Sequence, residues 1–266
     1  HRNPQGATLG PDGRLWLPMA GSLWAFGSDG SSTEYPITTS SGTTYTGIVE
    51  VRGGVDGRIW FVDALRSRVG SIDPDGTGAA TVAIPGDSSL GGVEHIARSD
   101  DGRMWVNRSK GSLYAVTVTG TVTSYASIGK PVLGLAGNPS GLYAVVGGTL
   151  LRISSAGAAS PVSLPVTSQI AGPPVTSNVW IWIGNATVIS ATGRIIQYSM
   201  PVDYGIDDLQ GGTFVYPDRV AVAPSLAGGL VGAVGPDLVR IANPDVGVNL
   251  KVRSTVVAAK GANVLR

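Results

Sequence analysis

An all-β fold built from a repeated four-stranded unit is what this sequence predicts, and three observations carry the prediction. The first is a phrase that returns: GPDGRLWL at Gly10–Leu17, GVDGRIWF at Gly54–Phe61 and SDDGRMWV at Ser99–Val106. Its glycines, Gly13, Gly57 and Gly102, stand about 44 residues apart, the length of one four-stranded propeller blade. The second is composition: 39 Gly and 17 Pro mark many turns, and Val, Ile, Thr and Trp fill the segments between them, as strands require. The third is a second landmark inside each unit, a strand followed by another glycine turn and a further strand. Together they predict a β-propeller of six blades, each of four antiparallel strands, with seven as the alternative count.

In the first unit GATL precedes Gly13, then come the Trp16 strand, SLWAF, the turn Ser28-Asp29-Gly30 and TEYPI. The second unit runs IVEVR, the Trp60 strand, RVGSI, the turn Asp73-Pro74-Asp75-Gly76 and ATVAIP. The third runs VEHIAR, the Trp105 strand, SLYAV, a turn at Gly120 and TVTSYA. Asp-Gly supplies the positive φ that tight hairpins need. The fourth unit keeps Asn138-Pro139-Ser140-Gly141, Leu142-Tyr143, LLRI, Gly157 and PVSLP. The fifth has Asn178-Val179-Trp180-Ile181-Trp182, ATVIS, Gly193 and RIIQYSMP, and the sixth has LVGAV, DLVRIA and GVNLKV. Residues 1–253 form the propeller in this reading, and 254–266 are a C-terminal extension or edge strand. Residues 203–215 exceed the other linkers and are a candidate inserted loop.

Bulk properties exclude several classes. The chain has 266 residues, 14% charged, with a formal net charge of +1 and no basic run, so no nucleic-acid partner is expected. Without cysteine there is no disulfide, thiolate zinc site or Cys nucleophile. No apolar stretch approaches about 18 residues, so no membrane insertion is expected. The start, HRNPQGATL, lacks the apolar segment of a signal peptide. The abrupt termini suggest a module within a larger assembly.

The phrase G-P-D-G-x-L-W, followed by a strand, D-G and T-E-Y-P-I, resembles the virginiamycin B lyase family. The match is good over blades one to three and extends to the rest only by period. The resemblance implies a propeller, seven-bladed in that family. It also implies a metal-assisted elimination that opens a cyclic depsipeptide, with a His as general base and Glu carboxylates holding Mg²⁺ on the central axis. This sequence has only His1 and His95, and no Glu follows Glu94, so the family's catalytic set does not carry over.

Seven positions before each blade's glycine lie Gly6, Glu50, His95 and Gly134. Glu50 and His95 thus fall on neighbouring inner strands near the axis. They are the candidate catalytic pair, because a carboxylate beside an imidazole tunes a general base or holds a metal; the alternatives are a hydrogen bond between two blades or two solvated polar groups at a wet pore. One His and one Glu are too few for a metal site, so none is expected, and Mg²⁺ belongs only to the lyase reading. A Ser-His-Asp triad would need His95, and no GxSxG phrase accompanies it. Trp16, Trp60, Trp105, Tyr143 and Trp180 form a ladder of inter-blade packing, with a ring of stacking platforms as the functional alternative. Trp24 and Trp182 fall off that register and are candidate contact aromatics. Asp203, Asp207 and Asp208 form an acidic cluster suited to a cation or a basic partner. The Asp73-Pro74-Asp75-Gly76 segment lacks the carboxylate spacing of a calcium loop. The sequons at Asn107 and Asn185 matter only in a eukaryotic secretory route.

The functional expectation is a non-catalytic binding or structural propeller that presents loops to a protein or glycan partner. The Lys-poor composition suggests a bacterial or phage origin, such as a phage tail or receptor-binding component or a secreted surface module. The location would then be extracellular or on the virion surface. The alternative is a lyase-like metal-dependent C–O lyase with a site reworked around Glu50 and His95.

Overall fold

The computed structural model describes residues 6–19, 21–38, 42, 44–86, 88–164, 175–176, 181–183 and 187–197, and the strand backbones at 205–207, 213–215, 220–224, 230–234 and 237–241. Four-stranded antiparallel sheets follow one another along the chain. The first holds β1 (Thr8–Leu9), β2 (Leu15–Met19), β3 (Ser22–Phe26) and β4 (Ser32–Pro36). The second holds β5 (Ile48–Gly53), β6 (Ile59–Asp63), β7 (Arg68–Ile72) and β8 (Ala80–Ala83). After a short 3₁₀ turn, Ser88–Leu90, the third holds β9 (Val93–Arg98), β10 (Met104–Arg108), β11 (Leu113–Val116) and β12 (Val122–Ser124). The fourth holds β13 (Gly134–Asn138), β14 (Gly141–Val146), β15 (Thr149–Ile153) and β16 (Ala159–Pro161). The fifth holds β17 (Val175–Thr176), β18 (Ile181–Ile183), β19 (Thr187–Ile189) and β20 (Ile195–Gln197).

Beyond these lie a pair, β21 (Gly205–Asp207) with β22 (Thr213–Val215), and a three-stranded sheet of β23 (Val220–Pro224), β24 (Leu230–Val234) and β25 (Asp237–Ile241). The stretch expected to be an inserted loop therefore contains a hairpin, with Gly205 opposite Val215 and Asp207 opposite Thr213. Residues 254–266 lie outside the described residues.

Each sheet is a meander whose first strand is innermost. The inner strands neighbour one another in order, β1 beside β5, β5 beside β9, β9 beside β13 and β13 beside β17. Burial follows from that arrangement. Every residue of β5, β6, β10, β13 and β14 is buried, because blades two to four are covered on both faces. The outer strands β4 and β16 are mostly exposed. Wedges of apolar side chains fill the gaps: Trp16, Leu23, Val51 and Phe61 between blades one and two, and Trp60, Val62, Ile96 and Val106 between two and three. Trp105, Ala97, Leu135 and Leu142 do the same between three and four. The ladder expected from the repeat is inter-blade core at these positions.

The ladder needs one correction. Trp16 pairs with Ala25, Trp60 with Ser71, Trp105 with Ala115 and Tyr143 with Arg152, each five residues before the outer-turn glycine. In blade five the residue five before Gly193 is Val188, and it pairs with Trp182. The backbone position of Trp182 is thus the ladder position, and Trp180 lies outside the described residues.

The junction between blades two and three is held by Arg108, which is 2% exposed. Its guanidinium donates to the carbonyls of Ile84 (2.8 Å), Pro85 (3.0 Å), Gly86 (3.1 Å) and Gly91 (2.5 Å), and to Ser67 Oγ (3.4 Å). These carbonyls come from both ends of the linker that joins the two blades.

Candidate functional site

The repeated phrase carries more than a turn and a Trp. In blade one the indole Nε1 of Trp16 donates to Asp12 at 3.1 Å, and Arg14 also binds Asp12. The Arg14 guanidinium lies 5.1 Å from the Trp16 ring centre, and Tyr35 stacks on Trp16 at 5.0 Å and 21°. Arg14 then donates to Tyr35 Oη (2.9 Å) and, across the gap, to the carbonyl of Pro74 (2.5 Å) in the outer turn of blade two. Blade three repeats the construction. Trp105 Nε1 donates to Asp101, Arg103 pairs with Asp101 at 2.6 Å, and Tyr125 stacks on Trp105 at 4.7 Å and 26°. Arg103 binds Tyr125 Oη and reaches the carbonyl of Ser155 (2.6 Å) in the outer turn of blade four. Burial pushes the Asp101 carboxyl upward, but hydrogen bonds from the side chain and backbone of Arg103 outweigh it and hold the group below its ordinary range. In blade two, Val82 stands where Tyr35 and Tyr125 stand, and Arg58 turns back to Asp73 (3.0 Å) of its own blade. Asp75 accepts from the Thr77 backbone (2.9 Å) and hydroxyl (2.8 Å), so this segment is a capped hairpin turn.

The braces explain why two of the outer-turn glycines are required. A Cβ on Gly157 would collide with the Tyr125 ring, and φ there is +79°. Gly120 has a similar φ of +86° but open space around it. Gly157→Ala should therefore cost about 2–3 kcal/mol, combining backbone strain with overpacking, and Gly120→Ala about 1 kcal/mol. Paired thermal melts check this, and equal shifts would show that Tyr125 does not press on the turn.

Glu50 and His95 meet as the register predicts. His95 Nδ1 lies 3.0 Å from Glu50 Oε2, bridging β9 and β5. Sequence reasoning missed the third member, Arg52, whose guanidinium pairs with Glu50 Oε1 and donates to the Val51 carbonyl at 2.8 Å. All three are buried, Glu50 at 2%, Arg52 at 5% and His95 at 6% exposure. Room for Arg52 comes from Gly6, where a Cβ would run into the guanidinium. The signal that could have found Arg52 is its i,i+2 spacing from Glu50, which places both on one face of a strand.

Both carboxylate oxygens of Glu50 are thus engaged, one by a cation. This does not fit the Mg²⁺ of the resembled family, since the pair supplies one carboxylate and one imidazole, whereas such ions gather several oxygens. Among the described residues no three His, Asp or Glu side chains form a group that could hold a metal ion.

The remaining candidates do not converge on this pair. Trp24 is half-buried on the face of β3 opposite Leu23 and Ala25, and stacks on Phe26 at 6.3 Å. Asp207 lies on β21, opposite Thr213; Asp203 and Asp208 lie outside the described residues. Asn107 is fully buried, which closes the first sequon, and Asn185 lies outside the described residues.

Successive four-stranded meanders with neighbouring inner strands define a β-propeller. The fold is similar to that of virginiamycin B lyase from Staphylococcus aureus, with a TM-score of 0.58 and 18% identity over 91% of this chain and 84% of that one. It is also similar to a gluconolactonase from Xanthomonas campestris (TM-score 0.54, 15% identity, 88% and 84% covered). A chain of a nidogen/laminin complex is similar at a TM-score of 0.51 and 13% identity, with 72% and 74% covered. No protein family's sequence profile and no curated protein matches the chain. At these identities the likeness is one of fold.

Proposed function

We propose that this chain is a non-catalytic binding and structural propeller that presents turns and loops to a protein or glycan partner. It would act outside a bacterial cell or on a virion, with a phage tail or receptor-binding component as one concrete form. In this reading no metal or cofactor takes part. The observation that carries it is the closure of Glu50: Arg52 and His95 occupy its two oxygens in a buried cluster, which suits a clasp between blades two and three better than a general base. The similarity to a chain of a nidogen/laminin complex is compatible with a protein partner.

A second reading, a metal-dependent C–O lyase with a reworked site, draws on the 3.0 Å contact between His95 and Glu50. One comparison separates the two. Incubation of a cyclic depsipeptide and Mg²⁺ with the wild-type chain and with His95→Ala should give no linear product in either case. Turnover by the wild type that is lost in His95→Ala would overturn the binding reading.

A further inference from the structure

The two faces of the propeller carry opposite exposed charge over blades one to three. One face holds the Asp-Gly turns and the outer turns, joined by the reach of Arg14 to Pro74 and of Arg103 to Ser155. The other holds the β2–β3, β6–β7 and β10–β11 turns and the linkers between blades, joined by the reach of Arg108 to Ser67 and Gly86. On the Asp-Gly face of these blades the exposed charged residues are all carboxylates: Asp12, Asp29, Asp56, Asp75 and Asp100. The arginines there, Arg14, Arg58, Arg98 and Arg103, are half-buried, and three of them pair with Asp12, Asp73 and Asp101. On the linker face the exposed charged residues are all cations: Arg66, Lys110 and Lys130. Its carboxylates, Glu50, Asp63 and Glu94, are buried or half-buried. Glu34 lies on the outer strand β4, at the rim. Arg152 and Arg194, exposed in blades four and five, end the acidic sector.

The exposed large apolar residues also sit on the two faces. Among the described residues they are Val55 and Val118 on the Asp-Gly face, and Met19, Leu65 and Leu133 on the linker face; none lies on an outer strand. Leu65 is the most prominent, at 68% exposure, and its turn is fixed in advance. The buried Asp63 carboxylate accepts from the main-chain N–H groups of Leu65 (3.0 Å) and Arg66 (3.1 Å). Ser67 holds φ at +49°, the one non-glycine with a positive φ among the described residues. Such a conformation is costly and persists only where its surroundings enforce it. Here the Ser67 carbonyl accepts from the Ile84 N–H at 2.9 Å. An apolar tip already in its final shape loses little entropy on docking.

We propose that the linker face of blades one to three docks on the Asp-Gly face of a second copy of this chain, so that copies stack along the propeller axis. Each copy brings the Leu65 tip and its neighbouring cations to a sector whose exposed charges are carboxylates. Complementarity of this kind speeds encounter and disfavours the pairing of like faces, which would set like charges together. An interface between two different faces is heterologous, and repetition of the same step builds an open stack and not a closed dimer. The inference goes beyond the binding reading above, because the partner is the chain itself.

The test is sedimentation velocity on the full chain over a range of concentrations. The mean mass of the wild type should grow with concentration and settle at no fixed stoichiometry. Raising salt from about 0.05 M to about 0.5 M shortens the screening length roughly threefold and should reverse the growth. One variant alters the linker face alone, Leu65→Ser with Lys110→Glu and Lys130→Glu. The other alters the Asp-Gly face alone, Val55→Lys with Asp100→Lys. Both should melt near the wild type, because every substituted residue is exposed. Each variant alone should lose association, and an equal mixture of the two should regain it, since each keeps the face the other lacks. A wild type that stays monomeric at low salt, a variant that associates as the wild type does, or a mixture that stays monomeric would each overturn the stack. None of these results touches the binding reading, which falls separately if depsipeptide turnover is found.

Discussion

Arg108→Met should lower the stability of the fold by about 3 kcal/mol, seen as a fall in melting temperature of roughly 6–12 °C for a domain of this size. Methionine matches the length of the arginine stem but supplies no donor. Four main-chain carbonyls, of Ile84, Pro85, Gly86 and Gly91, lose their partner at once. Pro85 and Gly86 are exposed and recover water, whereas the buried Ile84 carbonyl does not, which keeps the expected loss well below four full hydrogen bonds. Arg108→Lys should restore only a fraction, since one ammonium cannot span acceptors at both ends of a linker. A melting temperature for Arg108→Met within 2 °C of the wild type would mean that the linker holds without its clasp.

Glu50→Ala should cost about 3–5 kcal/mol, the penalty for leaving a buried cation without its counter-charge. Arg52 then keeps one main-chain acceptor, on Val51, and His95 loses its hydrogen bond. The companion experiment removes all three polar groups together, as Glu50→Leu, Arg52→Met and His95→Leu. That variant should melt near the wild type or above it, because a buried ionic cluster contributes little net stability over apolar packing of similar volume. If the single and triple variants fall equally, the cluster is worth more than its hydrophobic replacement and its role is more than a clasp.

The strand order of the first three blades is legible in the sequence because Asp-Gly turns fix where each hairpin begins. Gly13, Gly57 and Gly102 have φ of +74°, +76° and +79°, and each has open space where a Cβ would sit, so backbone conformation alone demands glycine there. Counting from those turns also brought Glu50 and His95 together correctly. Blade five shows where counting fails. Nine residues separate Trp16 from its partner Ala25, but only six separate Trp182 from Val188. The hairpin there is shorter, and without an Asp-Gly marker the repeat gave no sign of it. Arg52 was missed for a different reason. Its importance depends on which charges a neighbouring strand brings within reach, and that is a property of tertiary contact.

The braces built on Arg14 and Arg103 skip a blade. Arg14 and Arg103 stand 89 residues apart, Tyr35 and Tyr125 stand 90 apart, and the intervening Arg58 closes on its own sheet. The mechanical repeat of this stretch is therefore a double blade, a donor sheet and the acceptor sheet it grips. A chain edited in steps of two blades keeps every grip whole, whereas excision of blade two or blade four alone strands an arginine facing the wrong turn.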